Sequence, residues 1–271
     1  MAFDYEQYLR PGKLPHIWCP GCGHGIVMKG LIRAMDTCGL EKNNTAIVSG
    51  IGCASRLPGY VDFNTLHTAH GRAAAFATGI KMAKPEMDVL VVGGDGDGVA
   101  IGGNHFIHAC RRNIDMTYVL LNNYIYGMTG GQFSPCTPVG AKASTTPYGN
   151  PDPTFDIAKL AIGAGATFVA RTTAFHATQI DKLIAAGLRH KGMAIIEVLD
   201  DCPTAYGRRN KFRSVVDMMK RLKEIAVPVK AAAHMTPEQL EGKVLTGILH
   251  QEERPEYCEQ YQQVIASAQG D

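Results

Sequence analysis

Cysteines and carboxylates beside glycines are the first side chains in this sequence that could bind a metal. The segment WCPGCGHG, residues 18–25, contains Cys19 and Cys22 in a C-x-x-C pair. Such a pair can form a redox dithiol, half of a zinc site or half of an iron–sulfur site. A thioredoxin-like dithiol would follow a strand, but the preceding RPGKLPHI contains two prolines. A zinc site usually needs a second close pair, and the sequence contains no second C-x-x-C.

The iron–sulfur interpretation needs two further thiolates. The sequence has eight cysteines, and two of them follow expected strands on turns that contain glycine or proline: Cys53 in SGIGCAS and Cys202 in LDDCPTA. With Cys19 and Cys22 they could hold a [4Fe–4S] cluster, since four thiolates bind such a cluster. Cys136, in QFSPCTP, is the alternative to Cys202 as the fourth ligand. We expect the remaining cysteines to be small core or tail residues.

A second candidate site lies in GGDGDGVAIGG, residues 93–103. Backbone amides in a glycine-rich turn before a helix can approach an anion. The segment lacks the third glycine of a dinucleotide fingerprint and the distal glutamate of an EF-hand loop. Twenty-five residues separate Gly96 from Asn122 and Asn123. If neighbouring strands end there, Asp95 and an asparagine oxygen could hold Mg²⁺; a tight turn with an asparagine cap is the alternative.

Apolar strands alternate with helices along the chain. We predict strands over 45–49, 88–92, 116–123 and 193–199, and helices over 25–38, 70–85, 104–113, 157–163 and 177–189. This alternation predicts an α/β fold in three layers, with a parallel sheet covered by helices on both faces. Ligands of such folds bind outside the carboxyl ends of the strands, where the glycine-rich loops fall.

Length and composition favour one main domain. We expect residues 1–207 to carry both candidate sites and residues 208–271 to form an extension packed on them. The formal net charge of +2 favours neither a nucleic-acid nor a membrane partner. No apolar run approaches the length that crosses a bilayer, and the polar N-terminus lacks the core of a signal peptide, so we expect a cytoplasmic protein.

The motifs together resemble a known family. GDG, twenty-five residues and NN, with YGMTGGQ, HTAHGR and the cysteines, are similar to the β subunit of the 2-oxoacid:ferredoxin oxidoreductases. The resemblance extends from about Trp18 to Arg209. It implies a thiamine diphosphate-binding fold (the diphosphate domain) with thiamine pyrophosphate, Mg²⁺ and a [4Fe–4S] cluster as cofactors.

The resemblance also implies roles for matching residues. The Mg²⁺ ligands would be Asp95, the Asn123 side chain and the Ile125 carbonyl, and the cluster ligands Cys19, Cys22, Cys53 and Cys202. The residues expected to contact thiamine pyrophosphate are Gly50, Ile51, Gly52, His70, Gly71, Arg72, Gly94, Asp95, Gly96, Asp97, Asn123, Tyr126 and Gly127.

Other residues keep two interpretations. Arg56 could bind the substrate carboxylate through its guanidinium or form a surface ion pair. Met128 and Thr129 are expected to shape the pocket around the substrate side chain. His67 is either a cofactor contact or a satisfied, half-buried histidine. The cations between Arg208 and Lys223 could attract an acidic ferredoxin or coenzyme A phosphates, or simply form a solvated helix face.

The implied activity is the coenzyme A-dependent oxidative decarboxylation of a 2-oxo acid, with single electrons passed through the cluster to ferredoxin. YGMTGGQ resembles the 2-oxoglutarate and the branched-chain 2-oxo acid members of the family. We expect 2-oxoglutarate, and pyruvate and the branched-chain 2-oxo acids are the alternatives. A non-redox thiamine pyrophosphate enzyme and a metal module without catalysis are the rival classes. The resemblance implies an α subunit that supplies the pyrimidine-binding domain and its activating glutamate, in an (αβ)₂ assembly.

Overall fold

A single mixed sheet forms the centre of the computed structural model, which describes residues 3–270. Its eight strands are β1 (Thr45–Ser49), β2 (Asn64–His67), β3 (Asp88–Gly94), β4 (Met116–Asn122), β7 (Phe168–Thr173), β8 (Met193–Leu199), β9 (Ala226–Pro228) and β10 (Val244–Gln251). They lie in the order β2-β1-β3-β4-β8-β7-β10-β9, and only the contact of β10 with β7 is antiparallel. Two short strands, β5 (Ile125–Tyr126) and β6 (Gln132–Phe133), form a separate hairpin.

Helices cover both faces of the sheet. They are α1 (His24–Thr37), α2 (Ala73–Ala83), α3 (Gly103–Arg112), α4 (Ile157–Ala164), α5 (Ala177–Arg189), α6 (Val215–Ile225), α7 (Val229–Ala232), α8 (Pro237–Leu240) and α9 (Tyr257–Gln269). Along β3, Leu90 and Val92 pack in one core with α1 and α5, whereas Val89 and Val91 pack in a second core with α2, α3 and α4. This alternation gives three layers, because successive side chains of a strand point to opposite faces. The predicted fold class is confirmed.

Most predicted elements agree closely with the structure. The strands over 45–49 and 193–199 and the helix over 177–189 have the expected bounds. The expected glycine-rich loop differs, because Gly96–Ile101 winds into a helical turn that leads directly into α3. We predicted no strand at β7, where Arg171 interrupts the apolar pattern. Inside the fold, the charge of this residue is balanced by Glu197 and Asp156.

The sequence after residue 207 extends the sheet. It contributes β9 and β10, and β10 lies beside β7. The placement of a domain boundary at 207/208 stays a prediction. Within residues 3–270, no helix combines the length and the apolarity that crossing a bilayer requires.

Candidate active site

The loops after β1, β3 and β4 meet at the carboxyl ends of their strands and line one cavity. The cavity is bordered by residues 51–54, 94–97, 123 and 125–129, together with His24 and His70. Parallel pairing of β1, β3 and β4 places these strand ends side by side, and this is the ligand-binding edge that the fold class predicts.

Three oxygen-bearing groups converge at this edge. One terminal amide atom of Asn123 lies 2.8 Å from the Ile125 carbonyl oxygen and 3.3 Å from Asp95 Oδ1. If this atom is the amide NH₂, it donates hydrogen bonds to both oxygens. If it is the amide oxygen, three oxygen atoms face one another, and a bound cation would stabilise this arrangement. Neighbouring ligands of an octahedral Mg²⁺ with bonds of about 2.1 Å lie about 3 Å apart. The residues therefore fit a magnesium ion.

A buried network holds the backbone that carries this triad. The Asn122 amide donates to Glu197 Oε1 over 2.8 Å, and its oxygen accepts from the Tyr124 backbone N–H at 3.2 Å. Tyr124 has a φ of 66°, which is unusual for a residue other than glycine. Arg171 donates to Glu197 over 2.7 Å and also pairs with Asp156. The network fixes the turn that brings Asn123 and Ile125 to Asp95.

Asp95 is buried and also accepts a hydrogen bond from the Ser134 hydroxyl. Burial raises the pKa of Asp95 to about 7, although the hydrogen bonds to its carboxylate oppose the shift. A bound cation would favour the ionised form. Sequence analysis missed Ser134. Nothing in the local sequence QFSPC indicates that this serine lies next to Asp95 at the end of β3.

Asp97 joins three loops. Its Oδ1 accepts hydrogen bonds from the backbone N–H of Ile51 at 3.0 Å, the backbone N–H of Gly71 at 2.7 Å and His70 Nδ1 at 2.7 Å. These donors lie on the loops that follow β1 and β2. The structure thus gives Asp97 a positioning role, and its direct contact with a diphosphate stays a prediction. His70 uses Nδ1 for this contact, and its side chain lines the cavity.

At two positions of the site other atoms lie so close to the backbone that only glycine fits. A Cβ at Gly96 would lie 2.3 Å from the Tyr126 ring, whose hydroxyl donates to the Gly96 carbonyl over 3.0 Å. A Cβ at Gly71, where φ is 71°, would lie 2.6 Å from the backbone nitrogen of Gly102. No side chain fits either place without moving the backbone or the tyrosine.

The four candidate cluster cysteines gather beside the same cavity. A Cβ at Gly127 would lie 3.4 Å from Cys202 Sγ and 3.5 Å from Cys53 Sγ. Thr204 Oγ1 lies 3.6 Å from Cys19 Sγ and 3.9 Å from Cys202 Sγ. All of the cysteines are free thiols.

The thiols also influence one another's charge. Burial raises the pKa of Cys53 to about 11, with further contributions from Cys202 and Cys19. The pKa of Cys22 is raised by burial first and then by nearby acidic groups, which include Asp200 and Cys202. A positively charged metal centre would lower the pKa values of these thiols again, because thiolates bound to a metal are held deprotonated. The four sulfurs therefore fit a cysteine-bound cluster.

Buried acids anchor the C-x-x-C loop from behind. Asp201 Oδ1 accepts from the Gly23 N–H at 3.0 Å, and Asp200 pairs with His24 Nδ1. Ligand atoms of Cys22, His24 and Asp200 lie within 4.8 Å of one another, a spacing that could also hold a metal ion. Sequence analysis missed this acidic support, although His24 comes two residues after Cys22 and both aspartates directly precede Cys202.

The remaining predicted residues fall into two groups. Met128 and Thr129 line the cavity and are exposed. Residues outside the lining are Gly50, which packs on Asp97; Gly71; Arg72, which donates to the His70 carbonyl over 3.2 Å; and Arg56, which is exposed. Their roles stay predictions.

His67 and Cys136 each contact polar atoms of the protein itself. His67 is exposed rather than half-buried, and its Nδ1 lies 2.9 Å from Ser49 Oγ. Cys136 is fully buried, and its backbone N–H donates to Ser134 Oγ over 3.2 Å. Cys202, rather than Cys136, lies with the other candidate ligands.

Comparison with known proteins agrees with this geometry. Residues 50–198 match the family described as thiamine pyrophosphate enzyme, C-terminal TPP binding domain. The 2-oxoglutarate synthase subunit KorB of Methanothermobacter thermautotrophicus is 48% identical over 98% of this chain and 93% of its own length. The subunit of the same name from Methanocaldococcus jannaschii is 51% identical over 96% of each chain.

A solved structure shares the whole fold. It is the 2-oxoglutarate:ferredoxin oxidoreductase from Magnetococcus marinus with 2-oxoglutarate, coenzyme A and succinyl-CoA bound. The TM-score is 0.87 at 36% sequence identity, over 99% of this chain and 91% of that one. With the matching relatives and the thiamine pyrophosphate domain, these similarities show that the chain belongs to the β subunits of the 2-oxoacid:ferredoxin oxidoreductases.

Proposed function

We propose that this chain binds thiamine pyrophosphate with Mg²⁺ and carries a [4Fe–4S] cluster in a coenzyme A-dependent 2-oxoglutarate:ferredoxin oxidoreductase. The observation that carries the proposal is the position of Gly127. It lines the cavity that Asp95 and Asn123 border, and it also lies against the sulfurs of Cys53 and Cys202. Oxidation needs an electron exit beside the cofactor, whereas simple decarboxylation does not.

Each group of residues has a distinct task in this proposal. When bound, thiamine pyrophosphate supplies the stabilisation of a carbanion that decarboxylation of a 2-oxo acid requires. Asp95, Asn123 and the Ile125 carbonyl hold Mg²⁺. Cys19, Cys22, Cys53 and Cys202 hold the cluster. His70 and the glycine-rich turns contact the diphosphate, and Asp97 keeps their loops together.

The substrate proposal rests on the relatives and on three exposed residues. Two relatives carry the name 2-oxoglutarate synthase subunit. We infer that Arg56 binds a substrate carboxylate, since it is exposed and lies in the short helical turn Ala54–Gly59 that directly follows Cys53. Met128 and Thr129 then shape the pocket around the substrate side chain. Pyruvate and the branched-chain 2-oxo acids are the substrates against which 2-oxoglutarate must be tested.

The open side of the cavity supports an obligate partner. Met128 is 47% exposed at the cavity wall, which leaves room for a second chain to cover it. We propose that an α subunit supplies the pyrimidine-binding domain and activating glutamate in an (αβ)₂ assembly. Ferredoxin accepts the electrons, and the complex works in the cytoplasm.

The test is anaerobic purification of the complex with its α subunit. We expect iron and thiamine pyrophosphate, and bleaching of the visible absorption after addition of 2-oxoglutarate and coenzyme A. The variant Cys202→Ser should lose most of its iron, whereas the matched variant Cys136→Ser should retain it. Zinc without iron, or a colourless complex that contains thiamine pyrophosphate, would contradict the cluster. Bleaching by pyruvate or a branched-chain acid alone would contradict 2-oxoglutarate as substrate.

A further inference from the structure

The candidate cluster site has one exposed side. Cys19 is exposed, Cys22 and Cys53 are half-buried, and Cys202 is buried. Pro20 and Gly21, between the first two cysteines, are exposed as well. Electrons that leave a cluster held here would therefore reach the protein surface most directly beside Cys19.

A basic segment passes next to that exposed side. At one end, the Thr204 hydroxyl lies 3.6 Å from Cys19 Sγ. At the other end, Val215 packs on Gly21, since a Cβ on this glycine would lie 2.5 Å from a Val215 methyl group. The chain between these two contacts contains four cations and no acidic residue. We call these cations the basic ridge; they are Arg208, Arg209, Lys211 and Arg213. All four are exposed.

Exposed apolar side chains occur close in sequence to both contacts. Ile17, two residues before Cys19, is 66% exposed, and Val216, next to Val215, is 59% exposed. An apolar centre with a charged rim is the usual composition of a protein-binding surface. Two buried aspartates near the cluster loop, Asp200 and Asp201, are only 1% and 2% exposed and do not give this surface a negative charge.

We propose that the basic ridge, with the exposed edge at Cys19, is the docking surface for an acidic one-electron carrier protein. The inference rests on the proposed function, because it requires a cluster at the four cysteines. Opposite charges on two surfaces accelerate encounter and orient the partners, and the effect weakens with ionic strength. Electron-transfer encounters also bury little surface, so a compact basic ridge is enough.

Arg208 and Arg213 are the residues to change. Within residues 3–270 their side chains make no hydrogen bond or ion pair, so their reversal should leave the fold intact. Arg209 is unsuitable, because it donates to the carbonyl oxygens of Ala205 and Gly130. The variant is Arg208→Glu/Arg213→Glu, and the matched control is Lys159→Glu/Lys182→Glu, two exposed lysines on α4 and α5.

The experiment uses the complete complex with 2-oxoglutarate and coenzyme A and two electron acceptors. One is a strongly acidic ferredoxin, and the other is methyl viologen, a small cation that needs no docking surface. We expect the ridge variant to raise KM for ferredoxin about tenfold at low salt, because reversed charges no longer attract the acidic carrier. A tenfold change corresponds to about 1.4 kcal/mol. The rate with methyl viologen should stay as in wild type. The difference from wild type should shrink at high salt.

Three results would overturn the proposal. KM for ferredoxin could stay unchanged in the ridge variant, or rise equally in the lysine control. The ridge variant could instead lose its α subunit on purification, which would make the ridge a subunit interface. Failure of the proposed function is distinguishable, because the wild-type complex would then reduce neither viologen nor ferredoxin.

Discussion

Asp97 Oδ1 lies 2.7 Å from His70 Nδ1, and the same oxygen accepts the backbone N–H groups of Ile51 and Gly71. One carboxylate therefore ties the loop that leads to Cys53 to the loop that carries His70. A carboxylate is well suited to this task, because hydrogen bonds to a charged acceptor are shorter and stronger than neutral ones.

Asp97→Asn should loosen both loops. The amide oxygen accepts hydrogen bonds less strongly, and we expect the free energy of unfolding to fall by about 1–3 kcal/mol. Affinity for thiamine pyrophosphate at saturating Mg²⁺ should fall as well, as measured by calorimetry. Asp88→Asn, at the other end of β3, is the control, and an unchanged affinity for the cofactor in Asp97→Asn would contradict the positioning role.

Glu197→Gln should weaken the cation site without touching the cation. The change leaves Arg171 with only Asp156 to balance its buried charge, and it weakens the acceptor of the Asn122 amide. Breaking a buried ion pair costs about 3–5 kcal/mol. We expect more Mg²⁺ to be needed for half-maximal binding of thiamine pyrophosphate. If only thermal stability fell and the Mg²⁺ dependence stayed as in wild type, the network would be purely structural.

Gly127→Ala should reduce the iron content of the complex. The added methyl group would enter the space between Cys53 and Cys202, which the proposed cluster needs. Gly103→Ala is the matched control, because among residues 3–270 a Cβ there would meet no atom within 4 Å beyond its chain neighbours and its own helix backbone. Iron and thiamine pyrophosphate would be measured together. Full iron content in Gly127→Ala would place the cluster away from this glycine.

Asp115 offers a test of stability that is separate from the active site. It precedes β4 at the opposite end from Asn122 and pairs with Lys81 over 2.8 Å. Burial alone would raise the pKa of Asp115, but the hydrogen bond and charge of Lys81 outweigh it and lower the pKa. The ionised Asp115 therefore stabilises the folded protein at pH values above about 4, the pKa of an aspartate in the unfolded chain. This stabilisation is lost as the pH falls through the lower pKa that Asp115 has in the folded protein.

Asp115→Asn should consequently lower the melting temperature at pH 7 and much less near pH 3. Cofactor binding at pH 7 should be unaffected at temperatures where the variant is folded. The melting curves of wild type and variant at the two pH values provide the measurement. A difference in melting temperature that grows toward acid pH would show that the sign of this linkage is wrong.

Local patterns determined the layers of the fold. Apolar runs of strand length separated by helical patterns were enough to predict β1, β8 and α5 with their bounds. The GDG and NN segments also paired Asp95 with Asn122 and Asn123, because parallel strands end at a common edge. Both inferences depend only on short-range periodicity and on chain connectivity, whereas the choice of Asn123 over Asn122 came from the family resemblance.

Tertiary structure alone decided the rest. Arg171 lies in a strand that the sequence pattern did not predict, because its charge is tolerated only where Glu197 and Asp156 neutralise it. Ser134 reaches Asp95, and Asp97 turns away to hold two loops, through contacts between segments distant in sequence. Periodicity reports which face of an element is apolar. It carries no information about which distant polar groups will meet, since that depends on how the loops pack.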